Sequence, residues 1–219
     1  MSSRTVVAID GPAASGKSST AQTVAERLGY LHVDSGSLYR AATAAALRIN
    51  PNVASWTEAS VLEAARKVSL LPARTSFYPA IDGKSAEEEI RGPGVTKNVS
   101  LVAKMPRVRA WVNERVREAA TNHDVVVDGR DMGSFVFPEA RIKIFLTADA
   151  ETRAMRRLLQ RGAATDAQAL LLETRAINER DQRDAEQTQP APDAILIDST
   201  DLSQAEQVDR IVALALHAS

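Results

Sequence analysis

Residues 5–19 read Thr5-Val6-Val7-Ala8-Ile9-Asp10-Gly11-Pro12-Ala13-Ala14-Ser15-Gly16-Lys17-Ser18-Ser19. A short apolar run ends at Asp10 and leads into Gly11–Ser18, which fits G-x-x-x-x-G-K-[ST]. A helical pattern opens inside the match and runs over Ser15–Leu28. Strand, loop and helix in this order are the context in which the spacing holds phosphate. A tight loop turns its amide N–H groups inward around phosphate oxygens, and the helix start adds the positive end of its dipole. Gly11 and Gly16 permit the required dihedrals and close approach. Lys17 is placed for the β- and γ-phosphates and the Ser18 hydroxyl for Mg²⁺. Gly11, Pro12, Ala13, Ala14, Ser15, Gly16, Lys17, Ser18 and Ser19 are therefore the expected nucleoside-triphosphate loop. The bland alternative is a glycine-rich turn before a helix, which chance supplies in about one such chain in a hundred. By itself the motif specifies a bound triphosphate and no particular reaction.

Working outward, five β-like runs stand out: Thr5–Asp10, Tyr30–Asp34, Asp124–Asp128, Ile142–Thr147 and Ala194–Asp198. Several are almost continuously apolar, as strands buried on both faces of a parallel sheet are. Helical patterns alternate with them: Gly36–Ile49, Thr57–Leu70, Pro106–Thr121, Ala150–Arg161, Ala167–Gln187 and Ser203–His217. Pro106 suits a first helical residue, and Thr57-x-x-Ser60 is a weak cap. The alternation predicts a doubly wound α/β sheet. About ninety residues separate Asp34 from Asp124, and within them 72–106 is rich in turn formers. That stretch predicts a small insert with a hairpin at Asp82-Gly83.

The length of 219 residues suits one domain with a real core, at 44% apolar and 25% charged residues. A net charge of −1 and 4% aromatic residues argue against a grip on polymeric nucleic acid. Of the 27 cations 21 are Arg, whose planar fork suits small phosphorylated ligands. With no Cys, disulfides, thiol catalysis and Cys-ligated zinc are excluded. The run before Asp10 is too short for a signal or membrane segment, which makes the cytoplasm the default location.

Asp34-Ser35-Gly36-Ser37-Leu38-Tyr39-Arg40 follows the second strand; a helix cap explains Asp34 and Ser35 and leaves Arg40 open between solvent and ligand. Asp128-Gly129-Arg130-Asp131-Met132-Gly133 ends the third strand, where open α/β sheets bind ligands. Asp128 is placed to orient Mg²⁺ through water, against the alternative of a plain Asp-Gly turn. Arg153, Arg156, Arg157 and Arg161 cluster on one helix; they are either a solvated basic face or a lid carrying Arg to a transferring phosphate. Arg180 and Asp184 form an i, i+4 pair that surface chemistry alone explains. His32, His123 and His217 share no spacing and read as incidental.

Together with the loop, several segments in this order resemble the bacterial-type cytidylate kinase family. They are Asp34-Ser35-Gly36 with Tyr39-Arg40, Pro106-Arg107-Val108-Arg109, Asp128–Gly133 with Val136-Phe137-Pro138, Lys143–Leu146, Arg180-Asp181 with Arg183-Asp184, and Ile197–Thr200. The resemblance spans nearly the whole chain. It implies a P-loop NTPase fold: a five-stranded parallel sheet flanked by helices, a monophosphate-binding insert and a helical Arg-bearing lid. The single domain then divides into a core at 1–71 and 104–219, an insert at about 72–103 and a lid at about 150–190. It further implies ATP as phosphoryl donor and CMP or dCMP as acceptor, with Mg²⁺ at Ser18 and Asp128. Nothing in the sequence demands more than a monomer, and neither a membrane nor a nucleic acid polymer is expected as partner. Carried over, the substrate site comprises Ser35, Ser100, Arg109, Arg130, Asp131, Arg180 and Asp184, and Arg40 of the matching Tyr39-Arg40 segment is a further candidate for it. Lys17, Arg153 and Arg157 are the expected catalytic groups. Two departures stand out. Gln187 occupies a position where the family often has Arg, and Ala14 replaces a frequent Gly and is expected to take an ordinary dihedral.

The implied acceptor is a phosphate oxygen already ionised near neutral pH, so no general base is needed and none is apparent. Rival readings are a kinase for UMP or another small molecule, and a nucleotide switch. The Asn-Lys-x-Asp motif of guanine-reading switches is absent from the sequence.

Overall fold

Val6–Asp10 forms β1, and its side chains alternate between two cores because successive residues point to opposite faces. A computed structural model describes residues 4–217. Ala8 packs with Val33, Val125 and Val127 on one face; Val7 and Ile9 pack with Val126, Ile142, Ile144 and Leu146 on the other. Around β1 lie β2 (Leu31–Asp34), β6 (Val125–Gly129), β7 (Ile142–Thr147) and β8 (Ile195–Asp198). All pairings are parallel and the order is β2-β6-β1-β7-β8. The five expected strands are these five, within a residue or two at each end.

Because β1 lies between β6 and β7, chain connections leave it in opposite directions, and the crevice at its carboxyl end is the sheet's switch point. Gly11 enters that crevice. A Cβ there would lie 2.1 Å from the Leu146 carbonyl oxygen, so only glycine lets the loop cross β7 this closely.

Helices α1 (Lys17–Leu28) and α8 (Gln204–His217) cover one face. The other carries α2 (Ser35–Ile49) and α5 (Pro106–Asn122). The alanines at 41, 42, 44, 45 and 46 are all buried, and their small size admits neighbours to α2 on several sides.

The expected helix over Thr57–Leu70 is corrected. Thr57 and Ser60 form a full capping box, and α3 runs Glu58–Ala65. Then β3 (Val68–Pro72) pairs antiparallel with β4 (Phe77–Ile81). Val61, Ala64, Ala65 and Val68 all face one core. Their i, i+3, i+4, i+7 spacing therefore carries across the real boundary, and no Gly or Pro marks it. The hairpin at Asp82-Gly83 is present, joining β4 to β5 (Lys84–Ser85) with both residues at positive φ, 52° and 74°. A helix not anticipated from sequence, α4 (Pro93–Val102), follows. Its Gly92-Pro93-Gly94 start reads as a turn, although Pro93 fits a first helical turn and Val95, Val99 and Val102 make its buried stripe.

The remaining helices, α6 (Ala150–Gln160) and α7 (Ala167–Asp184), form a hairpin. Ile177 is the one buried residue of α7. Among the described residues no helix is long and apolar enough to cross a membrane.

Gly11→Ala is expected to cost at least about 2 kcal/mol by forcing the loop away from β7. Urea denaturation with two-state fitting checks this, and a midpoint unchanged from wild type would contradict the proposed close approach.

Candidate active site

The loop at 11–16 is held by its carbonyl oxygens. Pro12 O accepts from Lys17 Nζ (3.1 Å), Ala13 O from Arg153 NH1 (3.2 Å) and Gly11 O from Arg130 NH1 (3.4 Å). Cations thus pin the oxygens, while the amides of Ala13, Ala14, Ser15 and Gly16 have no acceptor among the described residues. Free amides in a curved loop at a helix start are an anion cradle. The buried Ser15 hydroxyl likewise has no partner. Ala14 departs from the ordinary dihedral expected of it: its φ is 60°, because the loop curls left-handed there. For a non-glycine residue this costs about 1 kcal/mol.

Lys17 lies half-buried where two cavities meet. Burial, then the Arg130 charge, push its ammonium down to about 8. One cavity, about 240 Å³, has Asp34, Ser35, Ser100, Arg109, Arg130, Asp131, Arg180 and Asp184 in its wall. The other, about 680 Å³, has Ala14, Gly16, Ser19, Arg157 and the start of α8. Lys17, Ser18 and Arg40 line both. The structure therefore gathers every expected substrate residue around one cavity and much of the expected triphosphate loop around its neighbour.

At the junction the Ser18 hydroxyl donates to Asp128 Oδ2 (2.5 Å). The opposite carboxylate oxygen, Oδ1, meets His32 Nε2 at 2.7 Å. His32 is thus not incidental. Burial pulls its imidazole down, but the hydrogen bond and charge of Asp128, with Asp34, outweigh that and hold it above its ordinary value. Sequence spacing missed it because β2 and β6 bring the groups together: Asp34 pairs in register with Asp128, and His32 shares the Asp34 side of β2. The available signal was the period-2 placement of His32 before Asp34. Burial and the nearby Asp128 raise Asp34 in turn.

A hydroxyl and a carboxylate in contact, beside a phosphate cradle, suit a Mg²⁺ that takes most of its ligands from nucleotide and water. Among the described residues no cluster of three His, Cys, Asp or Glu side chains forms an all-protein metal cage.

The substrate-side arginines are held by carboxylates. Arg109 pairs with Asp131 and donates to Gln187 Oε1 (3.0 Å). Asp184 meets Arg130 NH2 at 2.9 Å and Arg180 Nε at 3.5 Å. The Arg180–Asp184 pair is therefore part of a buried-side network and not an isolated surface pair. Arg40 bonds the Ile90 carbonyl and Thr96 hydroxyl. Ser35 donates to the Asp128 carbonyl (2.8 Å), and Ser100 lies exposed at the rim. Ser19 turns to its own helix, on Gly16 O.

The α6 arginines divide. Arg153 is buried and has its nitrogens on Ala148 O, Ala13 O and Asp181. Arg156 bonds Ser199 and Leu202. Arg157 faces the cleft, its guanidinium held below the usual range by burial and by Arg161.

Asp10, at the end of β1, accepts from Met132 N (2.8 Å) and Gly133 N (2.7 Å). It ties the turn carrying Arg130 and Asp131 to the start of the phosphate loop. Burial pushes its carboxyl up to about 6 against those two bonds.

Fold and site together define a member of the P-loop NTPase fold class. The same fold is found in a shikimate kinase from Bacteroides thetaiotaomicron, with a TM-score of 0.51 at 12% identity over 97% of each chain. Residues 7–217 match the family profile described as cytidylate kinase, and the chain belongs to that family. It is 41% identical to a cytidylate kinase of Desulforamulus reducens over 97% of both chains. It is 43% identical to one of Geobacillus kaustophilus over 98% of this chain and 97% of that one.

The raised Asp10 carboxyl has a stability consequence. Its folded pKa lies above the unfolded one, so its contribution falls as pH rises from about 4 to 6 and is a constant penalty above. Relative to Asp10→Ala, wild-type stability is expected to decline over that window by up to about 3 kcal/mol. Urea midpoints of both proteins at pH 4 to 7 check it; parallel curves would contradict the assignment.

Proposed function

We propose that the chain transfers the γ-phosphoryl group of ATP to CMP or dCMP, giving ADP and the corresponding diphosphate. The observation that carries the mechanism is the meeting of two cavities at Lys17, Ser18 and Arg40. Each cavity suits one nucleotide, and the shared residues lie where their phosphates come together. In this reading the larger cavity takes ATP, with its phosphates on the 11–18 amides and Lys17. The smaller takes the monophosphate among Arg109, Arg130, Asp131, Arg180 and Asp184.

The acceptor oxygen of the monophosphate attacks the γ-phosphorus in line, and the bond from that phosphorus to the β–γ bridging oxygen breaks. The acceptor is already ionised, so no proton must be removed and no side-chain nucleophile is used. Catalysis rests on alignment and charge neutralisation. Lys17 and Arg157 place cations on the migrating group. Mg²⁺ held by Ser18 and Asp128 would neutralise β- and γ-oxygens. Arg153, bound to Ala13 O and Asp181, serves the loop by holding its carbonyl outward. The insert and the α6–α7 lid exclude water, whose attack would hydrolyse ATP. All these groups come from one chain, which supports a monomeric catalyst.

A coupled ADP-release assay with CMP, dCMP, UMP, AMP and GMP tests the substrate assignment. Turnover is expected with CMP and dCMP; activity confined to another acceptor would overturn it. Lys17→Ala is expected to abolish transfer with the fold intact, and Arg157→Ala to lower kcat about 10³-fold.

Lys17 adds a pH signature. Phosphate favours its charged form, so a site whose free ammonium is pushed down to about 8 takes up part of a proton on binding ATP near that pH, and affinity falls as pH rises further. Calorimetry in two buffers of different ionisation enthalpy reads the uptake, which Lys17→Met should remove.

A further inference from the structure

On α6 the three arginines nearest the loop differ in what remains free. The nitrogens of Arg153 are all on protein oxygens, and both terminal nitrogens of Arg156 are on Ser199 and Leu202. Arg157 is the reverse. The Glu173 carboxylate lies 3.1 Å from its Nε, and its two terminal nitrogens have no partner among the described residues. Those nitrogens belong to a side chain that lines the cavity of Lys17 and Ser18.

Glu173 comes from α7, across the hairpin. Its second oxygen accepts from Arg161 NH1 at 3.4 Å, so the carboxylate is itself fixed between two cations. Its side chain is only 14% exposed. Taking charges out of water is costly, and a whole buried ion pair is commonly replaced by apolar side chains of similar volume at no loss of stability. Folding alone therefore gives no reason for an ion pair here. The site does: Arg157 has other guanidiniums around it, Arg40, Arg161 and Arg180 among them, which repel it. A carboxylate on the Nε side draws the group back by its stem end and leaves the terminal fork directed at the cleft.

We infer that Glu173 is a positioning residue that holds Arg157 from behind, so that its terminal nitrogens are set for the phosphoryl group in transit. The inference rests on the assignment of Arg157 to that group. Glu173 itself touches neither nucleotide. An Arg anchored at Nε loses little further freedom when it takes a phosphate, and the gain is realised at the transition state.

The test uses Glu173→Leu, Glu173→Asp, Arg157→Ala and the double variant Arg157→Ala/Glu173→Leu. Steady-state kinetics with ATP and CMP and a thermal midpoint are measured for each. Glu173→Leu is expected to lower the midpoint somewhat, because Arg157 and Arg161 lose their counter-charge, and to lower kcat about 10- to 100-fold with both KM values unchanged. Glu173→Asp, which keeps the charge, recovers most of that loss. In the Arg157→Ala background the Leu substitution costs nothing more, because the group it serves is gone. A double variant in which the two losses multiply would overturn the inference, as would wild-type kcat in Glu173→Leu beside an impaired Arg157→Ala. An unimpaired Arg157→Ala would instead remove the assignment of Arg157 and this inference with it. A kcat loss accompanied by a matching fall in midpoint and unrescued by Asp would make Glu173 a merely structural residue.

Discussion

The cleft gathers cations that repel one another, and the rest of the structure is arranged around that repulsion. Burial depresses Lys17, Arg130 and Arg157 most, and neighbouring cations add to it: Arg130 at Lys17, and other arginines at Arg130 and Arg157. Such a set holds together without its polyanion because carboxylates are interleaved: Asp131 on Arg109, Asp184 between Arg130 and Arg180, Asp181 on Arg153, Glu173 on Arg157. This is why a chain with a net charge of −1 can gather so many arginines around one cleft. The acids fix geometry as well as balance. Each arginine is oriented before a ligand arrives, so less ordering remains to be done at the moment of reaction.

Placement follows from the sheet. Parallel strands deliver Asp10, Asp34 and Asp128 to the same end, and the switch point at β1 opens the crevice there. The three acids have different tasks. Asp10 ties two loops together, Asp34 caps α2 through Ser37 N, and Asp128 meets Ser18. Burial comes first in raising both Asp10 and Asp34; the charge of Asp131 adds to it at Asp10 and that of Asp128 at Asp34.

Much of this was legible in the residues, and the limits have identifiable causes. The phosphate loop is a local motif between a strand and a helix, so its letters carry its place and its overall turn. The five core strands are apolar enough to read singly. The α3–β3 boundary was hidden because one apolar stripe serves both elements, and α4 because its Gly-Pro-Gly start imitates a turn. His32 was hidden for a different reason: its importance depends on the register of β2 against β6, which no single segment encodes. The α6 arginines show the same limit. Helical spacing puts Arg153 and Arg157 on one face, but only their partners from the loop and from α7 distinguish a brace from a free fork. Ala14 shows that the loop's curvature, and not local preference, sets its backbone.

The hydrogen bond from His32 N to the Thr75 carbonyl, with the His32–Ser76 bridge, adds a few residues of the β3–β4 connection to the outer side of β2. One margin of the sheet is thereby closed by the β3–β4 connection. The opposite margin is β8, where Ile195 and Leu196 face solvent between Asp193 and Asp198. Pro190 and Pro192, just upstream, keep the approach to that strand from extending the ladder. Resistance to strand-on-strand accretion is thus asymmetric, with main-chain cover guarding one side and only prolines and acidic flanks guarding the other.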